Sequence, residues 1–202
     1  MCSQNAKIPA RYLHYAEQIH FLEMRKMKGI IYSELVGFLD VKGGPSFTEE
    51  VLAGAELPHG GAFSRVSRYP WEQAVQVVTS ASKISGADAN DLCEEFGKFL
   101  FDRFTVLYTE IVERYPTAEG MLAHVEDHIH EEVRVLYPDA EPPHVASWKD
   151  DDGFVVEYSS HRPFAHIAFG LVQGCMKHFG DPRSINWVDR DPTGKTAYFR
   201  IQ

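Results

Sequence analysis

Residues 117–162 read TAEGMLAHVEDHIHEEVRVLYPDAEPPHVASWKDDDGFVVEYSSHR, and the fold class is decided within this stretch. Up to Pro138 its apolar residues recur at helical spacing, which predicts one long helix that stops there. After the prolines at 142–143, two short runs over 144–149 and 154–160 have strand character. An Asp-Asp-Asp-Gly turn joins them, which predicts a β-hairpin. A helical part therefore gives way to a sheet inside one stretch.

The remainder of the chain keeps this order. Helical patterns are predicted before the stretch, over 27–40, 46–55, 71–85 and, as two helices, 87–115, with a Gly- and Pro-rich loop over 57–70. A further helix over 163–180 and a second hairpin over 184–202 follow it. Helices followed by hairpins predict an α+β fold: an N-terminal helical part, then a small antiparallel sheet of about four strands packed with helices.

The composition indicates a folded chain and argues against several function classes. Hydrophobic residues make up 44% of 202 residues, and the net charge of −9 disfavours nucleic acid as a partner. No apolar run approaches the roughly 20 residues that span a membrane, and the N-terminus lacks a signal-peptide pattern. Three scattered cysteines fit a reducing compartment. We therefore expect a cytoplasmic protein without a membrane span.

Residues 1–26 differ from the domain predicted over 27–202. Leu13, Ala16 and Ile19 recur at helical spacing, so a short amphipathic helix is predicted in this N-terminal extension. It could pack on the domain or mediate self-association. It could also result from an upstream start codon, because Met27 begins a more compact pattern. The sequence leaves all three interpretations open.

Three histidines lie close together in the long predicted helix. His124 and His128 are four residues apart, so they share a helix face and could hold a divalent metal such as zinc. No further ligand completes that set, and a solvated pair is the ordinary interpretation. His130 lies about 200° around the helix from His128 and cannot join the pair. His128 and His130 flank the apolar stripe on opposite sides, so periodicity alone does not select a ligand.

A second group of polar residues follows in the first hairpin. In an extended strand, Tyr158, Ser160 and Arg162 point to one side and form a row of about 13 Å. A guanidinium can bind a carboxylate through two parallel hydrogen bonds, and the two hydroxyls can donate to the same group. The row suits a ligand with paired carboxylates. An exposed polar strand face is the alternative interpretation.

Together these features resemble the H-NOX (haem-nitric oxide/oxygen binding) family, which includes the sensor domain of soluble guanylate cyclase. The resemblance covers residues 27–202. It rests on MKGII at 27–31, GGAF at 60–63, FGKFLF at 96–101, HEEV at 130–133, LYP at 136–138, Pro143 and the Tyr-x-Ser-x-Arg string at 158–162. The spacing from the histidine to the Tyr-Pro pair and to Pro143 selects His130 over His128.

The resemblance implies a haem b site. It implies that His130 coordinates the iron, that Tyr158, Ser160 and Arg162 bind the propionates, and that Pro143 presses on the porphyrin. Further pocket-lining candidates are Ile31, Leu35, Phe101 and Ile167. Ile167 stands where dioxygen-binding members resemble one another in having a tyrosine donor. Without that donor, the site is expected to bind nitric oxide and carbon monoxide but no stable dioxygen.

The family mechanism implies a sensor rather than an enzyme. Nitric oxide would break the iron–His130 bond and free its helix, and a histidine kinase or a cyclic-di-nucleotide enzyme would receive the signal. Three alternatives remain. One is a haem enzyme with peroxidase-like or nitric-oxide-consuming activity, for which His166 is the candidate acid–base group. The others are a haem-free interaction module and the divalent metal site at His124 and His128.

Overall fold

The computed structural model describes residues 26–202, so the helix predicted in the N-terminal extension lies outside the described residues. The helical part contains α1 (Gly29–Gly54), α2 (Glu72–Ser85), α3 (Ala89–Leu107) and the single turn α4 (Thr109–Val112). None of the helices within the described range is long and apolar enough to cross a membrane.

The helix boundaries follow local sequence signals. Helix α1 runs through a kink at Gly44, whose φ of 80° and ψ of 175° are not helical, just before Pro45. Helix α2 ends at Gly86, which has a left-handed φ of 74° and whose backbone N–H donates to Ser82 O. At the start of α3, the Asp88 side chain accepts hydrogen bonds from Asn90 N and Asp91 N. These helices agree with the sequence prediction.

The C-terminal part confirms the predicted four-stranded sheet. Strands β3 (His144–Asp150) and β4 (Gly153–Ser159) form one hairpin, and β5 (Ile185–Arg190) and β6 (Thr196–Ile201) form the other. The antiparallel order is β3-β4-β6-β5, with α7 (Ala165–His178) between the hairpins in sequence. The fold is therefore α+β.

A second, two-stranded sheet was missed by the sequence analysis. Strand β1 (Lys26–Lys28) pairs with β2 (Arg68–Pro70), where we had predicted a helix start and a loop. Gly29 N donates to Ser67 O at 2.8 Å, directly beside this sheet. A three-residue strand is too short to show an alternation of apolar and polar residues in the sequence. The pairing of β1 with β2 also depends on the intervening chain, which includes α1.

The single long helix predicted to stop at Pro138 was also wrong. The structure has three shorter pieces, α5 (Ala118–Leu122), a π-helix (Val125–His130) and α6 (Glu131–Leu136). His128 N and Ile129 N both donate to His124 O, at 3.1 and 3.2 Å. This carbonyl oxygen therefore accepts one hydrogen bond with α-helical spacing and one with π-helical spacing. Apolar spacing does not distinguish a widened turn from an α-turn, and π-turns often lie at functional sites.

Two hydrophobic clusters form the core, one among the N-terminal helices and one between the sheet, α7 and the end of α3. Helices α3 and α7 contribute side chains to both clusters, and their backbones approach each other closely at glycines. A Cβ on Gly170 would lie 2.1 Å from Glu94 O, and one on Gly97 would lie 2.3 Å from Ile167 O. Only glycine permits this backbone approach.

Candidate functional site

A cavity of about 750 Å³ lies between the two parts of the fold. Residues from α1, α3, α7, β4 and the π-helix line it, and its volume is within the usual range for small-molecule sites. All nine site residues singled out from the sequence are among its lining residues: Ile31, Leu35, Phe101, His130, Pro143, Tyr158, Ser160, Arg162 and Ile167. They span 137 positions of the chain (31 to 167, inclusive), so tertiary folding brings them together.

Arg162 supplies positive charge to the cavity. The residue is only 7% exposed, and burial lowers the pKa of its guanidinium. Its Nε donates to His161 Nε2 at 3.1 Å and its Nη2 donates to Glu141 O. Within residues 26–202, no carboxylate lies at ion-pair distance from it. A buried cation without a paired anion is costly, so the site suits an anionic ligand group.

Tyr158 and Ser160 support the turn that presents Arg162. Strand β4 ends at Ser159, so the extended row predicted through 162 is wrong; the backbone turns after the strand. Tyr158 Oη donates to Arg162 O at 3.2 Å, and Ser160 Oγ accepts from Arg162 N at 3.2 Å. Burial raises the pKa of the Tyr158 hydroxyl, which keeps it a donor. All three side chains still belong to the same cavity.

His130 ends the π-helix and lines the cavity. Its side chain is 12% exposed, and its Nδ1 lies 3.2 Å from Glu126 Oε2. Within the described part of the chain, its Nε2 has no hydrogen-bond partner. Burial lowers the pKa of His130, and this outweighs the opposing effect of Glu126. The neutral imidazole is the form that binds a metal ion, and its unengaged nitrogen is the one that could do so.

Apolar side chains form much of the remaining wall. Leu35 and Phe101 are buried, and Ile31 and Ile167 lie beside them. None of these four side chains can donate a hydrogen bond. A flat, largely apolar molecule with an acidic edge would therefore find complementary surfaces in this cavity.

His166 also lines the cavity, but both of its ring nitrogens are engaged. Nδ1 lies 2.8 Å from Glu94 Oε1, and Nε2 lies 3.0 Å from Arg190 Nη1. The ring also packs on Trp187, with 4.7 Å between centroids. A general acid or base needs a nitrogen that can reach the reacting atom. The structure assigns both nitrogens of His166 to bridging α3, α7 and β5.

Glu126 is the polar residue that the sequence analysis missed. Burial would raise the pKa of its carboxyl, but hydrogen bonds from Val145 N, His130 and Arg134 outweigh this and lower the pKa to about 2. The missed signal was its spacing of four residues before His130, which places the two on one helix face. The sequence analysis assigned Glu126 no role.

The alternative metal pair, His124 and His128, has no third ligand beside it within residues 26–202. The rings of His124 and His128 stack with 4.7 Å between centroids, and His124 Nδ1 lies 2.7 Å from Gly120 O. In the part of the chain that the structure describes, no group of three or more His, Cys, Asp or Glu residues could hold a metal ion.

Comparison with known proteins agrees with this geometry. A family model described as haem-NO-binding matches residues 28–186. The chain belongs to this family. A search of curated proteins finds no match.

Among solved structures, this member of the haem-NO-binding family resembles the Fe(II) unliganded H-NOX protein from K. algicida. The two are 27% identical with a TM-score of 0.80, and the match covers 87% of this chain and 96% of the other. An H-NOX protein from S. oneidensis in the Fe(II)NO state is 24% identical, with a TM-score of 0.78 and coverage of 87% and 98%. An H-NOX domain from Shewanella oneidensis in the Fe(II)CO state is also 24% identical, with a TM-score of 0.75 and coverage of 87% and 99%. The S. oneidensis structures support the shared fold.

Proposed function

We propose that this chain is a haem-based gas sensor that binds nitric oxide and carbon monoxide at ferrous haem b. The observation that carries the proposal is the combination of two groups in one cavity. Among residues 26–202, His130 has a cavity-lining nitrogen without a hydrogen-bond partner, and Arg162 is a buried cation without a paired carboxylate. Haem needs a nitrogen ligand for iron, an apolar slot and a cationic partner for its propionates. The cavity contains all three.

Each lining residue then has a role. His130 Nε2 would bind the iron, and Arg162 would bind the propionates with Tyr158 and Ser160. Pro143 would contact one porphyrin face, while Ile31, Leu35, Phe101 and Ile167 would pack against the macrocycle or the gas. Haem, when bound, would supply the ferrous iron to which the gases add. Residues 27–202 would be sufficient for this function.

The apolar wall would set the choice of gas. Bound dioxygen is polar and gains from a nearby donor, whereas nitric oxide binds ferrous iron without one. Leu35 and Ile167 offer no donor, and both nitrogens of His166 are engaged by Glu94 and Arg190. Because both nitrogens of His166 are engaged, this residue is poorly placed to act as the acid–base group of a peroxidase-like or nitric-oxide-consuming enzyme, which favours a sensor. Structures of relatives in Fe(II)NO and Fe(II)CO states support these two ligands.

Signalling would come from movement of His130. Nitric oxide binding would weaken its bond to the iron, and its release would allow the π-helix and α6 to shift. This is a two-state equilibrium biased by a ligand. The receiving partner would be a histidine kinase or a cyclic-di-nucleotide enzyme in the cytoplasm. The family resemblance is the ground for proposing that partner.

The visible spectrum of the reduced protein tests the proposal. We expect a five-coordinate ferrous haem in air without an oxygenated species, a six-coordinate complex with carbon monoxide, and a five-coordinate nitrosyl with nitric oxide. The last species requires cleavage of the iron–histidine bond. A protein that remains colourless after addition of hemin would contradict the proposal, and so would turnover of peroxide or nitric oxide that depends on His166.

A further inference from the structure

Glu126 connects the candidate ligand to two other elements. Its Oε2 lies 3.2 Å from His130 Nδ1 and accepts a hydrogen bond from Val145 N at 3.0 Å. Its Oε1 accepts from Arg134 Nη2 at 3.2 Å. One carboxylate therefore contacts the histidine at the end of the π-helix, an arginine of α6 and the backbone of β3.

These contacts determine what His130 can do. A carboxylate only accepts hydrogen bonds, so its contact with Nδ1 requires a proton on that nitrogen. The lone pair of the neutral ring is then on Nε2, the nitrogen without a partner in the described residues. The contact also restricts rotation of the ring. Glu126 thus selects both the tautomer and the orientation of the imidazole.

We propose that Glu126 is the positioning residue for His130, and that its carboxylate makes the imidazole a stronger ligand. This inference rests on the proposed role of His130 as the haem ligand. A carboxylate that accepts from the distant nitrogen of a ligating histidine raises the basicity of the ligand. The hydrogen bond from Val145 N to Glu126 Oε2 couples the position of the histidine to β3. A movement of His130 would therefore also change the contact between Glu126 and the sheet.

Arg134 tunes this interaction. It shares Glu126 with His130, and it also pairs with Glu131, whose Oε1 lies 2.7 Å from Arg134 Nη1. His144 also approaches, with its Nδ1 3.6 Å from Glu126 Oε2. Because the cationic arginine withdraws charge from the carboxylate, its removal would strengthen the acceptor facing His130. Loss of Glu126 and loss of Arg134 should therefore have opposite effects on the iron–histidine bond.

The test compares Glu126→Gln with Glu131→Gln in the reduced, haem-loaded full chain. Both variants remove one carboxylate that pairs with Arg134, but only Glu126 contacts His130. For E126Q we expect a lower iron–histidine stretching frequency in resonance Raman spectra and a more positive haem midpoint potential. We also expect haem transfer to apomyoglobin to be about tenfold faster. E131Q should match the unmodified protein in all three measurements.

Arg134→Met keeps the carboxylate and serves as the second variant should E126Q fail to fold. It should raise the stretching frequency and lower the midpoint potential. The inference is overturned if E126Q matches E131Q, or if R134M shifts the frequency in the same direction as E126Q. Failure of the function itself looks different: the unmodified chain would then take up no haem, or its iron–histidine band would survive His130→Gly.

Discussion

Among residues 26–202, the two histidines that line the cavity have contrasting surroundings. His130, at the end of the π-helix, has a hydrogen-bond partner for Nδ1 and none for Nε2 within the described residues. His166, in the first turn of α7, has partners at both nitrogens, Glu94 and Arg190. Lining a cavity therefore does not by itself leave a histidine available to bind a ligand. An unengaged ring nitrogen is also required.

The backbone around each histidine also differs. The widened turn before His130 lets two amides share His124 O, and it ends at the candidate ligand. His166 lies where α7 packs on α3 through glycines. Under the proposed function the first region would release its histidine, whereas contacts at both ring nitrogens hold the histidine of the second region in place. The following experiments are arranged from the largest expected effect to the smallest.

Replacing His130 should have the largest effect. His130→Gly removes the only nitrogen that we assign to the iron, so the purified variant should lose its haem pigment. Added imidazole should restore it. His128→Gly is the matched control, because it makes the same change two residues earlier on the same π-helix. Absorbance per mole of protein measures the result. A His130→Gly protein as strongly coloured as the control would contradict the assignment of His130, rather than another residue, as the iron ligand.

Gly170→Ala tests the rigid helix packing beside His166. The new Cβ would lie 2.1 Å from Glu94 O, so one backbone must move, and we expect a loss of about 3 kcal/mol in the free energy of unfolding. Urea denaturation measures it. Gly37→Ala is the control, since its Cβ would meet nothing closer than Phe99 Cζ at 3.8 Å and should stabilise α1. Equal stability of the two variants would contradict a tight contact.

A donor on the apolar wall should change the choice of gas. Ile167→Tyr would add a hydroxyl to the cavity, and one hydrogen bond of about 1.4 kcal/mol corresponds to about tenfold tighter dioxygen binding. Ile167→Phe supplies the ring without the hydroxyl. Titration of the reduced proteins with dioxygen measures the difference. If the phenylalanine variant binds dioxygen as well as the tyrosine variant, hydrogen bonding is not the cause.

His166→Leu should have the smallest effect. It removes the bridge between Glu94 and Arg190, at a cost of about 1 kcal/mol in unfolding free energy, because both partners can reach solvent. Haem content and the nitrosyl spectrum should remain unchanged. Glu94→Gln retains an acceptor for His166 and should cost less. Loss of haem from His166→Leu would mean that the two histidines had been assigned the wrong roles.

The sequence predicted some elements better than others for a physical reason. Long helices and hairpins repeat their pattern over many residues, so α2, α3 and both hairpins could be predicted. The β1–β2 sheet and the break in the long helix could not, because a three-residue strand and a widened turn leave no periodic signal. Candidate site residues such as Phe101 were found through motif resemblance, whereas Glu126, four residues before His130, was not recognised.

The sequence by itself determined the α+β order of elements and the family, and it predicted the residue types that we propose to bind haem. Those properties depend on local periodicity, turn residues and motif spacing, all of which are written along the chain. Only the tertiary structure decided which ring nitrogens are engaged. Glu94 and Arg190 contact the ring nitrogens of His166, and Glu94 lies 72 residues from it in sequence. Val145 N, from a separate strand, donates to the Glu126 carboxylate that contacts His130. Hydrogen-bond partners that distant are set by how the elements pack.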